Sequence, residues 1–318
     1  MSNIIRLLRR RLIALPLMAF GVVLLVFFLM SFSKYDPAVA ALGENATQEA
    51  LAAYRHNMGL DLPWWQQFFN YLIGLFSFDL GVYGVNKDSV AARIGQAFPI
   101  TLQLTFIGLA IALVLAIILG VLAAIYRDKW LDQLIRVFSI IAIATPSFWL
   151  GVLLIYQFQI KLGWLPGAGP LVPFFTDPLA YITRMAMPAF ALGLPVAGQM
   201  TRIIRTSMVE ELDKDYVRTA IGAGIPKHIV IARNVFRNAL ITPITVLGMK
   251  IGYLMGGAIV IEVIFSLPGM GTAMFDGIKD NQTTLVQGVV LVVALSFIVI
   301  NVIVDLLYVL INPRIRTV

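Results

Sequence analysis

Cysteine is absent from this 318-residue chain, which excludes disulfides, thiolate metal sites and a cysteine nucleophile. Histidine is nearly absent. His56 and His228 are the two present, and the topology derived below puts them on opposite sides of a membrane, so they can neither share a metal nor form a dyad. No HExxH, GxSxG or GxxxxGK[ST] run occurs, and no nucleophile has a base within evident reach. The chain therefore reads as non-catalytic, with no metal site, and any energy source lies in a partner or an ion gradient. Charge is scarce too: 13% of residues are charged, against about 25% in soluble domains. What replaces it is apolar, with 59% hydrophobic residues and a mean hydropathy of +0.88. The formal net charge of +7 fits basic cytoplasmic loops and needs no nucleic acid.

Six segments are long enough to cross a bilayer core, which takes about 20 helical residues. They lie near 12–31, 100–125, 137–160, 186–204, 241–261 and 285–310. The expected fold is thus all-α, a polytopic membrane protein with six transmembrane helices in one domain, 1–318. The first apolar run, Leu12–Met30, follows Arg6, Arg9, Arg10 and Arg11, and Ala38-Val39-Ala40 looks like a cleavage site. Nineteen residues exceed the roughly 7–15 of a signal h-region, so an uncleaved first span is expected. The fourth span is the weakest, broken by Pro188, Gly193, Pro195 and Gly198. Such a helix packs inside a bundle, where neighbours satisfy its backbone. With the N-terminus inside, cytoplasmic segments carry 16 of the 24 Lys and Arg residues and external ones, Arg184 among them, carry seven. Both termini are therefore expected in the cytoplasm.

The segment 32–99 is then an extracytoplasmic insertion. Thr47 can cap a short helix to Asn57, and Leu62–Phe78, with Trp64 and Trp65, is aromatic and too polar to span. It is expected to lie at the membrane interface, to serve as a platform for an external partner, or both. Two external loops, 163–170 and 265–271, carry Pro-Gly pairs, including Pro268-Gly269. Such pairs mark fixed turns, which either cap helix ends or gate an outer mouth.

The longest polar, helix-patterned interruption of the later chain is 207–240, within a cytoplasmic loop of 205–240. Asp213 and Asp215 are expected N-caps for a short helix through Tyr216, Val217, Arg218, Thr219 and Ala220. Gly224 is expected to close it at C′, and Pro226 to open a second helix through Ile229, Ala232 and Phe236. The result is a small-residue plug, including Gly222 and Ala223, held between two spans.

Within the membrane, Lys250 lies about 13 Å into the fifth span, while Asn301 and Asp305 share a face of the sixth. Either Lys250 pairs with Asp305, or it faces a water-filled pathway. Gly248, Gly252 and Gly256 form a stripe of small residues suited to close helix packing.

Several stretches, taken in order, resemble a known family. They are Asp36-Pro37, Gly59-Leu60-Asp61 and Asp79-Leu80-Gly81; Pro146 with Phe148, Trp149 and Gly151; and Leu165-Pro166 with Gly169. Next come Pro188-Ala189 with Leu192-Gly193, then Arg205, Ser207-Met208 and Asp215-Tyr216-Val217-Arg218-Thr219-Ala220 with Gly224 and Arg237-Asn238-Ala239. Glu262, Ile264-Phe265-Ser266, Pro268-Gly269, Val286-Gln287-Gly288 and Asp305-Leu306-Leu307-Tyr308 complete the series. Together they resemble the permease subunit of an ATP-binding-cassette importer of the peptide/nickel class, of the dipeptide/oligopeptide first-permease type. The resemblance implies a type I importer permease fold in a bacterial cytoplasmic membrane. It implies a second homologous permease, two cytoplasmic ATPase subunits that bind the ATP and Mg, and an extracytoplasmic solute-binding protein. No cofactor is then held by this chain. Arg218-Thr219-Ala220 and Gly224 occupy an EAA-type signature, so 213–226 is implied to dock on the ATPase. Trp64, Trp65, Pro268 and Gly269 are the residues expected to meet the binding protein or form the outer gate. Two departures stand out: the basic residues usual at the positions of Ile221, Gly222 or Ala223 are missing, and Lys250 stands where an uncharged polar residue is usual. The rival reading is a gradient-driven carrier or channel using Lys250 and Asp305.

Overall fold

In a computed structural model, residues 2–32, 36–43, 45–77, 79–84 and 86–311 are described. The chain begins with α1 (Ser2–Ser31) and continues into the outer segment through α2 (Pro37–Leu42), α3 (Gln48–Asn57) and α4 (Trp64–Phe76). Asp36 and Thr47 cap α2 and α3 by accepting from Ala38 N and Ala50 N, as N-caps do for orphan helix amides. A two-residue hairpin, β1 (Val82–Tyr83) with β2 (Asp88–Ser89), follows. Then comes α5 (Val90–Ile125), 36 residues long. It begins ten residues earlier than its apolar run suggests, because Val90, Ile94 and Ala97 bury themselves in a local core.

The expected third span is not one helix. It is α6 (Trp130–Ala144) followed by α7 (Ser147–Leu154), which passes into π turns over Ile155–Lys161, and the pair is bent by 99°. Pro146 causes the break: it forces Thr145 into an extended conformation (φ −83°, ψ 117°) and cannot donate to the helix before it. The fourth span is corrected in the opposite sense. Here α8 (Pro178–Leu212) runs unbroken through Pro188 and Pro195 for 35 residues. It is also the most enclosed, with 61% of its most apolar window buried, against at most 28% for the other long helices.

Beyond α8 lie α9 (Asp215–Gly222), α10 (Lys227–Val230), a π turn over Ile231–Val235, and α11 (Phe236–Ala239). The chain finishes with α12 (Ile241–Phe265), α13 (Met270–Lys279) and α14 (Thr283–Ile311). Among the described residues, five helices are long and apolar enough to cross a bilayer, and the bent pair supplies a sixth candidate. The all-α expectation therefore holds, apart from the hairpin.

Two compact units divide the chain. The first comprises 1–4, 102–266 and 301–318. Its packing depends on backbone approaching backbone at small residues. A methyl added at Gly193 would overlap the carbonyl of Gly108, and one at Gly198 would sit 2.8 Å from the carbonyl of Ser139. Small residues are the usual currency of helix packing where lipid replaces the hydrophobic drive. The Gly248/Gly252/Gly256 stripe is only partly of this kind. A methyl at Gly248 would overlap Val304 and Gly252 is buried, but Gly256 has open space around it.

The second unit comprises 5–101 and 267–300. One core gathers Val90, Ile94, Met270, Leu285 and Val289; another gathers Val23, Phe27, Phe68 and Leu291. Phe68 seats α4 against α1, with its ring 5.2 Å from that of Phe27. The opposite face of α4 shows Trp65, Phe69, Ile73 and Phe76 exposed. That is the amphipathic pattern expected of a helix lying in a membrane interface. Trp64 packs its ring 5.6 Å from Phe28 and stays largely exposed. Gly269 stands at the N-cap of α13, and the buried Thr101 hydroxyl accepts from Met270 N at 2.9 Å. The turn at Pro268-Gly269 is thereby fixed as a helix start.

Candidate functional site

The polar loop after α8 is built to be stiff. Helix α8 ends with Asp213 as its C-cap, whose carboxylate accepts from Arg127 Nη1 at 2.9 Å. The N-cap of α9 is Lys214, in extended conformation (φ −74°, ψ 149°) and without a side-chain cap. Asp213 and Asp215 are therefore not the caps the sequence suggests. Asp215 occupies the first helical position instead, where a negative charge complements the helix dipole.

The close of α9 follows the sequence expectation. Gly224 adopts φ +86°, the left-handed region open to glycine at little cost. Its N–H donates to Ile221 O (3.0 Å), and Ile225 N–H donates to Ala220 O (3.2 Å). These are the two bonds of a Schellman cap. Pro226 sits one position earlier than expected, as the N-cap of α10.

One face of α9 is tied to the rest of the protein. Val217 is buried. Tyr216 Oη donates to Glu211 Oε1 at 2.9 Å, Lys214 Nζ donates to Glu211 Oε2 at 2.5 Å, and Asn238 Nδ2 donates to Tyr216 Oη at 3.4 Å. Glu211 is itself buried at the end of α8. Burial first, and the adjoining carboxylate after it, push the Tyr216 hydroxyl above its ordinary value. A strut thus joins the outgoing helix α8, the short helix α9 and the returning helix α11. The other face is bare: Arg218, Thr219, Gly222, Ala223 and Gly224 are exposed, and Ile221, Ile225 and Ile229 are each more than 40% exposed. Ala220 is half-buried between the two faces.

A second anchor lies one turn and a half up α8. Arg205 grips the Asp132 carboxylate with two bonds, Nε to Oδ1 at 2.6 Å and Nη2 to Oδ2 at 2.7 Å. Asp128 N (3.0 Å) and Arg136 (3.4 Å) also point at that carboxylate, which is fully buried. Such forked pairs fix geometry as well as adding energy. The partners are 73 residues apart, so no local pattern announces them, and sequence reasoning singled out Arg205 alone.

Arg184 is the other residue the sequence misplaced. It belongs to α8 rather than an external loop, and it is 3% exposed. Its guanidinium donates to the carbonyls of Gly167 (3.0 Å), Gly169 (3.3 Å), Phe265 (2.5 Å) and Ser266 (3.3 Å). It thereby ties the 163–170 loop to the end of α12, where carbonyls lack helical partners and a cation is favoured.

Lys250 is half-buried, with Nζ 5.6 Å from the Tyr253 ring centre. Asn301 is half-buried on α14. The side chain of Asp305 lies outside the described residues, and with it the proposed Lys250–Asp305 pair. His56 bonds Asp61 at 2.8 Å in the outer segment, while His228 is exposed on α10. Among the described residues, no group of three His, Asp or Glu side chains could hold a metal.

The family described as the binding-protein-dependent transport system inner membrane component matches residues 116–317. Its companion, the N-terminal region of the membrane component, matches residues 4–105. A Brucella abortus (strain 2308) protein described as a peptide transport system permease is 38% identical over 303 residues, covering 95% of this chain and 96% of its own. The glutathione transport system permease protein GsiC of Escherichia coli O6:H1 is 36% identical over 307 residues, covering 96% and 97%. The helical bundle, the stiff polar loop after its most enclosed span and these matches agree: the chain belongs to the binding-protein-dependent inner membrane component family and is a permease subunit of the peptide/nickel class of ATP-binding-cassette importers.

Proposed function

We propose that this permease pairs with a second, homologous permease to enclose a path for short peptides across a bacterial cytoplasmic membrane. Two ATPase subunits bind beneath it and an extracytoplasmic binding protein delivers substrate above, with both termini of the chain in the cytoplasm. The observation that carries this reading is the two-sided construction of α9 and its cap. One side is bonded to α8 and α11 through Tyr216, Glu211 and Asn238; the other presents Ile221, Ile225 and Ile229 to solvent beside three small residues. Exposed apolar clusters of this sort mark protein contacts, and a contact surface wired to two long helices transmits displacement as well as affinity. ATP-driven closure of the ATPases moves 213–226, and α8 with α12 carries that movement outward. The permease contributes only the difference between its contacts in the two states. Peptide substrates fit the names of the relatives, and selection among peptides falls chiefly to the binding protein. Trp64 and Trp65 on the outer helix are its contact surface, and the turn at Pro268-Gly269 forms part of the outer gate.

Ile221→Asp tests the docking assignment without touching a buried group. Its expected effect is a permease that inserts normally but no longer co-purifies with its ATPases, with ATP-coupled uptake falling more than about tenfold, as for a lost interface anchor of about 1.4 kcal/mol or more. Uptake at the parental rate would overturn the assignment.

A further inference from the structure

Helices α8 and α12 run antiparallel in a fixed register. Arg184 reaches the Phe265 carbonyl; eight residues along α8, Leu192 Cδ1 would lie 3.0 Å from a methyl at Gly257, eight residues back along α12. Extending that register places Gln199 at the level of Lys250, Arg202 just below them, and Thr242 between the levels of Thr206 and Glu210. These six positions, counting Thr206, line one cavity of about 450 Å3. That is within the roughly 300–1,000 Å3 of small-ligand sites. Arg202, Thr206 and Glu210 follow one another at four-residue intervals along a single ridge of α8, spanning about 12 Å.

Among the described residues, which leave out the side chain of Asp305, the charges of this cavity lack ion-pair partners. Among the described residues, no carboxylate lies within ion-pair distance of Arg202 or Lys250, and no base lies within that distance of Glu210. Two cations therefore sit at one end and one carboxylate about two turns away at the other. Arg202 and Glu210 are exposed at the cytoplasmic end of α8, whereas Lys250 is half-buried within a span, where an ionisable group is expensive unless it serves a pathway. A free peptide carries the complementary pattern, with a terminal carboxylate and a terminal ammonium separated by an uncharged, hydrogen-bonding backbone.

We propose that this cavity is a transit subsite for short zwitterionic peptides, in which Arg202 and Lys250 meet the terminal carboxylate and Glu210 the terminal ammonium. The inference rests on the importer reading and deepens it: the permease itself contributes charge selection after the binding protein has released its cargo. Gln199, Thr206 and Thr242 supply hydrogen-bonding groups between the charged ends, suited to peptide amides of any sequence. Peptides with a blocked C-terminus lose the stronger end of the site and pass less readily.

The absence of cysteine makes a direct test available. Gln199→Cys and Thr242→Cys are introduced singly into the chain and assembled with its partner permease and ATPases. During ATP turnover each variant is reacted with an anionic (ethylsulfonate) and a cationic (ethyltrimethylammonium) methanethiosulfonate. The expected result is a preference for the anionic reagent about tenfold greater in Gln199→Cys than in Thr242→Cys, the scale of local ion enrichment in a charged cleft. Lys250→Gln combined with Arg202→Gln abolishes the difference. Alanine peptides of two to five residues slow the reaction, and their C-terminal amides do so less. The proposal is overturned if neither variant reacts, if neutralising both cations leaves the ratio unchanged, or if no alanine peptide protects. Uptake and ATPase co-purification, followed in the same preparations, report separately on the importer reading and stay intact when only the subsite is wrong.

Discussion

The two ends of the segment 205–224 invert the usual placement of charge. At its start, Arg205 and the fully buried Asp132 form a forked pair inside the protein. At its end, Ile221 and Ile225 lie in the open. Buried charge usually costs stability unless completely paired, and exposed isoleucine adds nothing to it. The two ends therefore differ in task. The buried pair fixes geometry, holding α6 against α8, and the exposed residues suit the ATPase contact proposed for them.

That contrast is broken most severely at the buried end. Asp132→Ala leaves the Arg205 guanidinium, whose side chain is 19% exposed, without its carboxylate. Stability should fall by about 3–5 kcal/mol, the cost of an orphaned buried charge, visible as earlier thermal unfolding of the detergent-solubilised protein. Asp132→Leu with Arg205→Met should recover much of the loss, because removing both charges leaves nothing uncompensated. If the single substitution cost no more than a surface change, the pair would not be the anchor described.

A smaller effect sharpens the comparison from a different direction, because the outer segment carries an exposed counterpart. Arg55 Nε donates to Asp36 at 2.9 Å, and the guanidinium holds the Asp36 carboxyl below its usual value of 3.8. Since the folded value lies below the unfolded one, the pair's contribution is complete above about pH 4 and is lost as pH falls through the folded value. Both side chains are about a third exposed, so the contribution is at most about 1 kcal/mol. Asp36→Asn should lower stability slightly at pH 7 and leave it unchanged once the pH has fallen below the folded value. Equal losses above and below that value would show that the residue does not act through its charge.

The long helices were legible because apolar runs and loop charge are local properties. The Gly224 cap was legible for the same reason, since a glycine followed by a proline two residues on admits few conformations. The bend at Thr145-Pro146 went unread because the run on either side stays apolar, and composition does not register a change of direction. Arg184 was miscounted because the apolar run begins after it, although the helix already includes it. Two of its four carbonyl partners come from the 163–170 loop and two from the end of α12, which is remote in sequence. Asp132 gave no signal at all, being one acid in a charged loop whose partner lies 73 residues away. Pairings across a fold are decided by packing, which periodicity does not encode.

In the proposed mechanism, one face of α9 binds the ATPase and the opposite face transmits its movement. The most direct measurement compares Ile221→Asp with Tyr216→Phe in the assembled importer, recording ATPase co-purification and peptide taken up per ATP hydrolysed. Tyr216→Phe removes only the hydroxyl that joins Glu211 to Asn238. It should leave ATPase binding intact while lowering uptake per ATP several-fold, as expected for loss of about 1 kcal/mol of hydrogen bonding. Ile221→Asp should abolish binding itself. Equal loss of binding in both variants, or unchanged uptake per ATP in Tyr216→Phe, would contradict the division of the helix into a docking face and a transmitting face.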